Sequence, residues 1–145
     1  MRLSTKGKYA LEALTLLGHK TNSDIAISLN IISTETKISE GYLEQLFRLL
    51  KKHSVVSSKK GKNGGYYFAA PMDVINVGDI LRAVEGSLAP VKCVDDGYCN
   101  RTEKCLTRDL WGSVYEKINE TINNISMQKL VDDYEFRLAS KENAR

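Results

Sequence analysis

With 145 residues, 42% of them hydrophobic, and no run approaching the ~20 apolar residues of a membrane-crossing helix, the chain is expected to form one small domain with an appendage. Its formal net charge of +3 is unevenly spread: residues 1–66 carry 11 Lys/Arg against 5 Asp/Glu, and residues 67–145 carry 10 against 13. A basic first half suits a polyanionic partner, and an acidic second half excludes a chain that coats nucleic acid along its whole length.

Ser4 or Thr5 can cap a first helix running to about His19, with Tyr9, Ala13, Leu16 and Leu17 on one apolar face. Lys6 and Lys8 sit in its first turn, the wrong end for the helix dipole. Either an external anion such as a phosphate compensates them, or two exposed lysines are simply tolerated. Residues 20–24 read as a loop and 25–27 as a short extended piece. Ser28 can then cap a short helix through Leu29, Ile31 and Ile32 to about Thr36. A tight turn at 37–39 leads to a second cap, Ser39, and a third helix to about Lys52.

The third helix sets Tyr42, Leu43, Leu46, Phe47, Leu49 and Leu50 on an apolar stripe, opposite Gly41, Glu44, Gln45, Arg48 and Lys52. Two helices joined by a short turn, the second polar and basic outside, are a helix-turn-helix candidate. Gln45 has the bidentate geometry for an adenine edge and Glu44 can accept from a cytosine amino group. Arg48 can reach a guanine or a phosphate. Residues 55–58 and 66–70 read as strands around Lys59-Lys-Gly-Lys-Asn-Gly-Gly65, a hairpin with a cationic, glycine-rich tip. A basic β-wing after a recognition helix makes a winged-helix arrangement. A nucleotide-cradling loop does not fit, because no helix follows the glycines.

Val77, Ile80, Leu81 and Val84 place a further short helix over 77–84; Gly86 ends it and Pro90 leads on. Cys93, Cys99 and Cys105 follow, with five residues between each and the next. The odd count and the lack of an apolar leader speak against disulfides and for a reducing cytoplasm. Structural zinc uses more closely spaced cysteine pairs. Three thiolates on one short polar segment make a soft site, suited to an iron–sulfur cluster ahead of zinc or copper(I). Beyond them Trp111, Val114, Ile118, Ile122 and Ile125 form one stripe of a long helix over about 103–124. A narrow stripe of this kind suits a second copy of the chain, or a fold back onto its own module. Ser126 can cap a short last helix over 127–133, and the polar end reads as frayed.

Met1-Arg-Leu-Ser-Thr-Lys-Gly-Lys-Tyr-Ala10, Ile38-Ser-Glu-Gly-Tyr-Leu-Glu-Gln-Leu-Phe47, Gly61-Lys-Asn-Gly-Gly-Tyr66, the three cysteines, Cys105-Leu-Thr and Asn123-Asn-Ile-Ser together resemble the iron–sulfur cluster regulators of the IscR type. Those are bacterial winged-helix transcription factors. The resemblance implies a mainly α fold with a small β-wing, in four parts. Residues 1–90 would be a winged helix-turn-helix DNA-binding domain and 91–106 a cysteine cluster-binding loop. Residues 103–135 would hold the dimerisation helix and a short C-terminal helix, and 136–145 a flexible tail. It also implies a homodimer on a pseudo-palindromic double-stranded operator, in the cytoplasm, with no membrane, no small-molecule substrate and no enzymatic activity.

Cys93, Cys99 and Cys105 would hold a 2Fe-2S or a 4Fe-4S cluster that tunes operator choice, at genes of cluster assembly or related ones. Arg2, Ser39, Gly41, Tyr42, Glu44, Gln45, Arg48, Lys60 and Lys62 would face DNA, and Trp111, Val114, Ile118, Ile122 and Ile125 would pair the protomers. Three departures from the family pattern stand out: Gly41 in place of a small hydroxyl residue, Lys60 in place of a wing arginine, and Arg108 in place of a ligand histidine. A guanidinium has no lone pair for a metal. An exogenous ligand, or oxygen donors at Asp95, Asp96, Glu103, Asp109 or Glu12, the last from either subunit, are the remaining options. Rival readings are a repressor sensing nitric oxide, redox state or iron, and a small iron–sulfur redox protein. The last leaves the basic half and lysine wing unexplained.

Overall fold

Short polar side chains begin most of the helices. The Ser4 hydroxyl accepts from the Lys6 amide and opens α1 (Thr5–Lys20). Ser28 accepts from Ile31 N–H at the start of α2 (Leu29–Thr36), and Ser39 from Tyr42 N–H at the start of α3 (Glu40–Lys52). Each satisfies an amide that the helix itself leaves unpaired. Between α2 and α3 Lys37 turns left-handed, with φ 64°, and the buried Ile38 plugs the corner. The computed structural model describes residues 3–21, 25–95 and 105–144.

Strands β1 (Val56–Lys59) and β2 (Gly65–Phe68) pair antiparallel, Val56 opposite Phe68 and Lys59 opposite Gly65. Each is displaced slightly from its expected bounds. Ile27 adds an isolated rung to β2 by exchanging both backbone hydrogen bonds with Tyr66, at 2.9 and 2.8 Å. Asn76 caps α4 (Val77–Glu85). A four-residue helix not expected from sequence, α5 (Lys92–Asp95), carries Cys93. Next come α6 (Arg108–Asn123) and α7 (Met127–Asn143), the latter capped by Ser126.

The core gathers around α1. Ala10, Ala13, Leu14 and Leu17 are fully buried against Leu43, Phe47 and Leu50 of α3, Ile80 of α4, and Met127 and Val131 of α7. A smaller cluster joins Val77, Leu81 and Leu88 to Leu11, Ile122, Ile125 and Leu130. The corner between α6 and α7 is latched by backbone bonds: Val77 N–H donates to the Ile125 carbonyl at 2.8 Å and Met127 N–H to that of Ile75 at 2.7 Å. No helix among the described residues is long and apolar enough to cross a membrane.

Two expectations about the second half change. Helix α6 starts at Arg108 rather than near Glu103, because residues 105–107 are not helical. Helix α7 was expected to stop near Asp133, with a frayed tail beyond, yet it continues to Asn143. The stretch Tyr134-Glu-Phe-Arg-Leu-Ala has no glycine or proline to stop it, and its first half is anchored on α1.

Gly18 faces α7 so closely that a Cβ there would lie 2.5 Å from Val131 Cγ2 and 2.8 Å from Met72 Sδ. Val131 is β-branched on a helix and cannot easily rotate away. Gly18→Ala is therefore expected to destabilise the fold by about 1–3 kcal/mol through overpacking. Gly112, in the exposed middle of α6 with nothing within 4 Å of such a Cβ, should behave oppositely. Gly112→Ala gains roughly 0.5–1 kcal/mol of helix stability. Urea denaturation followed by circular dichroism checks both signs.

Candidate nucleic-acid interface and cysteine segment

The Ser39 cap fixes where α3 begins, and the burial of Leu43, Leu46, Phe47 and Leu50 fixes its rotation. Gly41, Glu44, Gln45 and Arg48 are thereby left exposed together. Tyr42 is half-buried, its ring meeting that of Tyr9 edge-on at 5.8 Å. A Cβ at Gly41 would meet nothing within 4 Å, so the missing side chain leaves open space on the outward face.

The wing stands beside this face. Phe47 of α3 packs edge-on against Tyr66 of β2 at 4.8 Å, and Lys51 Nζ donates to Ser58 Oγ at 2.6 Å. Gly65 lets β2 pass close to the Ile27 rung, since a Cβ there would lie 2.3 Å from the Ile27 carbonyl oxygen. Between α3 and the wing runs an open cleft of about 560 Å3, lined in part by Ser28, Glu44, Arg48, Lys51, Lys59 and Gly61. Lys60 and Lys62 are exposed at the tip. The arrangement brings the base-reading candidates and the wing cations to one side of the molecule. Arg2 lies outside the described residues. Lys51 and Lys59 were not singled out from sequence, although Lys51 follows Glu44 and Arg48 at helical spacing and a helical projection finds it.

Cys93 and Cys105 are half-buried, and neither is in a disulfide. Cys93 lies within α5 and Cys105 just ahead of α6, two helices packed on each other. Cys99, Asp96 and Glu103 lie outside the described residues. Among the described ones no three His, Cys, Asp or Glu side chains gather as a metal site. Cys105 Sγ lies 3.9 Å from Thr107 Oγ1, the same hydroxyl that accepts from Trp111 Nε1 at 3.1 Å. Asp95 closes α5 and Asp109 lies in the first turn of α6. Glu12 is elsewhere, lining a groove of about 430 Å3 between α1, α2 and α7 with Glu35, Tyr134 and Arg137. His19 is engaged by Glu135 at 3.0 Å. The donor chemistry suits a thiophilic group, since two unbridged, partly accessible thiols sit at adjacent helix ends.

Of the expected stripe, Ile122 on α6 and Ile125 just past its end pack onto the satellite cluster of this same chain. Trp111, Val114 and Ile118 remain half-exposed. Val114, Ile118 and Ile122 line a shallow apolar groove of about 500 Å3 along the helix.

The family pattern of Rrf2, described as an iron-dependent transcriptional regulator, matches residues 3–133. The chain belongs to the Rrf2 family. The HTH-type transcriptional regulator IscR of Klebsiella pneumoniae is 39% identical over 137 residues, 94% of this chain and 83% of that protein. Among solved structures, CymR (YrzC), the global cysteine regulator of B. subtilis, superposes with a TM-score of 0.74 at 31% identity, covering 91% of this chain and 97% of that one. IscR of T. potens superposes with a TM-score of 0.73 at 32% identity, covering 92% and 88%. This Rrf2-family chain is thus a winged-helix transcriptional regulator, similar to IscR, and not an enzyme.

Reading bases and neutralising phosphates leave different signatures in such a protein. Gln45→Ala is expected to lose about 1–3 kcal/mol of discrimination at one base position. Lys60→Ala and Lys62→Ala should weaken binding on every sequence and lower the slope of log K against log salt by about one each. Fluorescence anisotropy on matched and scrambled duplexes across a salt series separates the two.

Proposed function

We propose that this Rrf2-family regulator acts in the cytoplasm as a homodimer on pseudo-palindromic double-stranded DNA, with operator occupancy tuned by an iron–sulfur cluster. The cluster is 2Fe-2S in preference to 4Fe-4S, and the regulated genes serve cluster assembly or related needs. The observation that carries the reading is the place of the thiols: Cys93 on α5 and Cys105 at the foot of α6, with Cys99 midway between them in sequence.

Cys93, Cys99 and Cys105 would hold the group. A bound cluster supplies a labile iron–thiolate cross-link that depends on iron supply and on oxidants. The chain's part is mechanical. Ligation by Cys93 and Cys105 sets the distance between α5 and α6. Arg82 of α4 donates to Asn119 and Asn123 of α6, at 2.7 and 2.9 Å, and ties that helix to the DNA-reading module. The effect on DNA follows only if the ligated and free segments favour different module orientations.

The half-exposed Trp111, Val114 and Ile118, with the outer edge of Ile122, favour a second copy of α6 as partner. Two-fold pairing of two recognition helices implies a pseudo-palindromic site with half-sites one or more DNA turns apart. Arg2, Ser39, Gly41, Tyr42, Glu44, Gln45, Arg48, Lys60 and Lys62 make up the proposed DNA face.

Protein purified without oxygen is expected to be coloured, with matching iron and sulfide content, and Mössbauer spectra distinguish 2Fe-2S from 4Fe-4S. Cys99→Ala should abolish the colour and change the emission of Trp111, the one tryptophan. A colourless wild type that still binds DNA would mean thiol or zinc sensing instead. Replacing Val114 and Ile118 together with glutamate should convert the dimer to a monomer in sedimentation velocity and lower operator affinity at least tenfold.

A further inference from the structure

Helix α1 begins with a defect that another helix repairs. Its first turn holds no acidic residue and carries Lys6 instead. Glu85, the last residue of α4, lies over that turn. Its Oε1 accepts from the Gly7 amide at 2.8 Å and from the Ser4 hydroxyl at 2.6 Å. A carboxylate here satisfies orphan amides and complements the helix dipole. The carboxylate at this helix start is thus the chain's own. Gly7 makes room for it: a Cβ would lie 2.9 Å from Glu85 Oε1 and 3.0 Å from Leu81 Cδ2. Ser4 and Gly7, conspicuous in the opening motif, are explained by this contact.

The same turns of α1 touch the recognition helix. Thr5 Oγ1 lies 3.4 Å from the Tyr42 hydroxyl, and the Tyr9 ring stands edge-on to Tyr42. Tyr42 follows Gly41 directly and precedes Glu44 and Gln45 by two and three residues. Displacing the start of α1 therefore displaces the start of α3. Three residues before Glu85, Arg82 holds Asn119 and Asn123 of α6. Gly78 lets α6 approach, since a Cβ there would fall 2.1 Å from Asn123 Oδ1. Helix α4 is thus tied on one side to the helix that follows the cysteines and on the other to the support of the recognition helix.

We propose that Glu85 is a positioning residue for operator recognition, holding α1 against Tyr42 and, with Arg82, making α4 the rod between α6 and the recognition helix. Glu85 touches no DNA in this scheme; it acts through the placement of Gly41, Glu44 and Gln45. The proposal rests on the DNA-reading face described above. Neither contact involves a cysteine.

The test uses full-length protein purified without oxygen, with reduced thiols and no chelator added. Wild type first selects its preferred duplex from a randomised pool. Dissociation constants are then measured on that duplex and on a scrambled one of the same length. Glu85→Ala is expected to lose at least tenfold of the discrimination ratio, while its affinity for scrambled DNA stays within twofold of wild type. Glu85→Gln keeps an acceptor for the Gly7 amide but no charge, and should fall between. Arg82→Met with Glu85→Ala should lose less than the product of the single losses, because both interrupt one linkage. Equal weakening on both duplexes, or an unchanged ratio, would overturn the proposal while leaving the DNA-reading face intact. If Glu85→Ala is unfolded by circular dichroism, Glu85→Gln decides alone. A wild type that selects no sequence would remove the operator reading and this inference together.

Discussion

The closeness of approach to α1 is the constraint on which the rest depends. Gly7, Ala10, Ala13 and Gly18 are all buried on that helix, and their small size brings α3, α4 and α7 within reach at once. Close-packed interiors transmit displacement rather than absorb it. A helix lined with larger residues would hold its neighbours farther off, and the polar ties at its ends would not form. Helix α3 is thus positioned from behind by side chains buried between it and its neighbours.

That arrangement divides labour between the faces of the protein. The outward side of α3 and the wing carries exposed polar and basic groups with little mutual pairing, free to meet a partner. The inward side is apolar, with Phe47, Leu43 and Leu50 fully buried. Between the two, single hydrogen bonds such as Lys51 to Ser58 set the angle of the wing to the helix. Exposed contacts of this kind add little to stability. Their value is geometric, because base recognition depends on where a few side-chain atoms are held.

Much of the DNA-facing half was legible in the sequence, because it obeys local rules. The apolar stripe of α3 has helical period, Ser28 and Ser39 are caps at the right places, and Lys59–Gly65 has turn chemistry. The contacts that organise these pieces were not legible. Glu85 meets Gly7 across 78 positions, and no periodicity encodes such a meeting. Lys6 and Lys8 left open either an external anion at the start of α1 or two tolerated lysines, and neither reading pointed to Glu85. The α6 stripe was correct as a helix face from Trp111 to Ile122, but Ile125 lies past the helix end, and it and Ile122 serve the chain's own apolar core. The length of α7 escaped because its outer half has few buried residues to make a pattern. The equal cysteine spacing was plain, yet the path through Cys99 lies outside the described residues.

The return of α7 onto α1 has a consequence for how the protein is made. Met127 and Val131 complete the core that supports residues near the N-terminus. A nascent chain that has emerged only through α4 still exposes that apolar surface and lacks the latch between 75–77 and 125–127. Contacts this distant in sequence form late and slow the search for the native state. The core around α1 is therefore complete only once residues 127–131 have joined it.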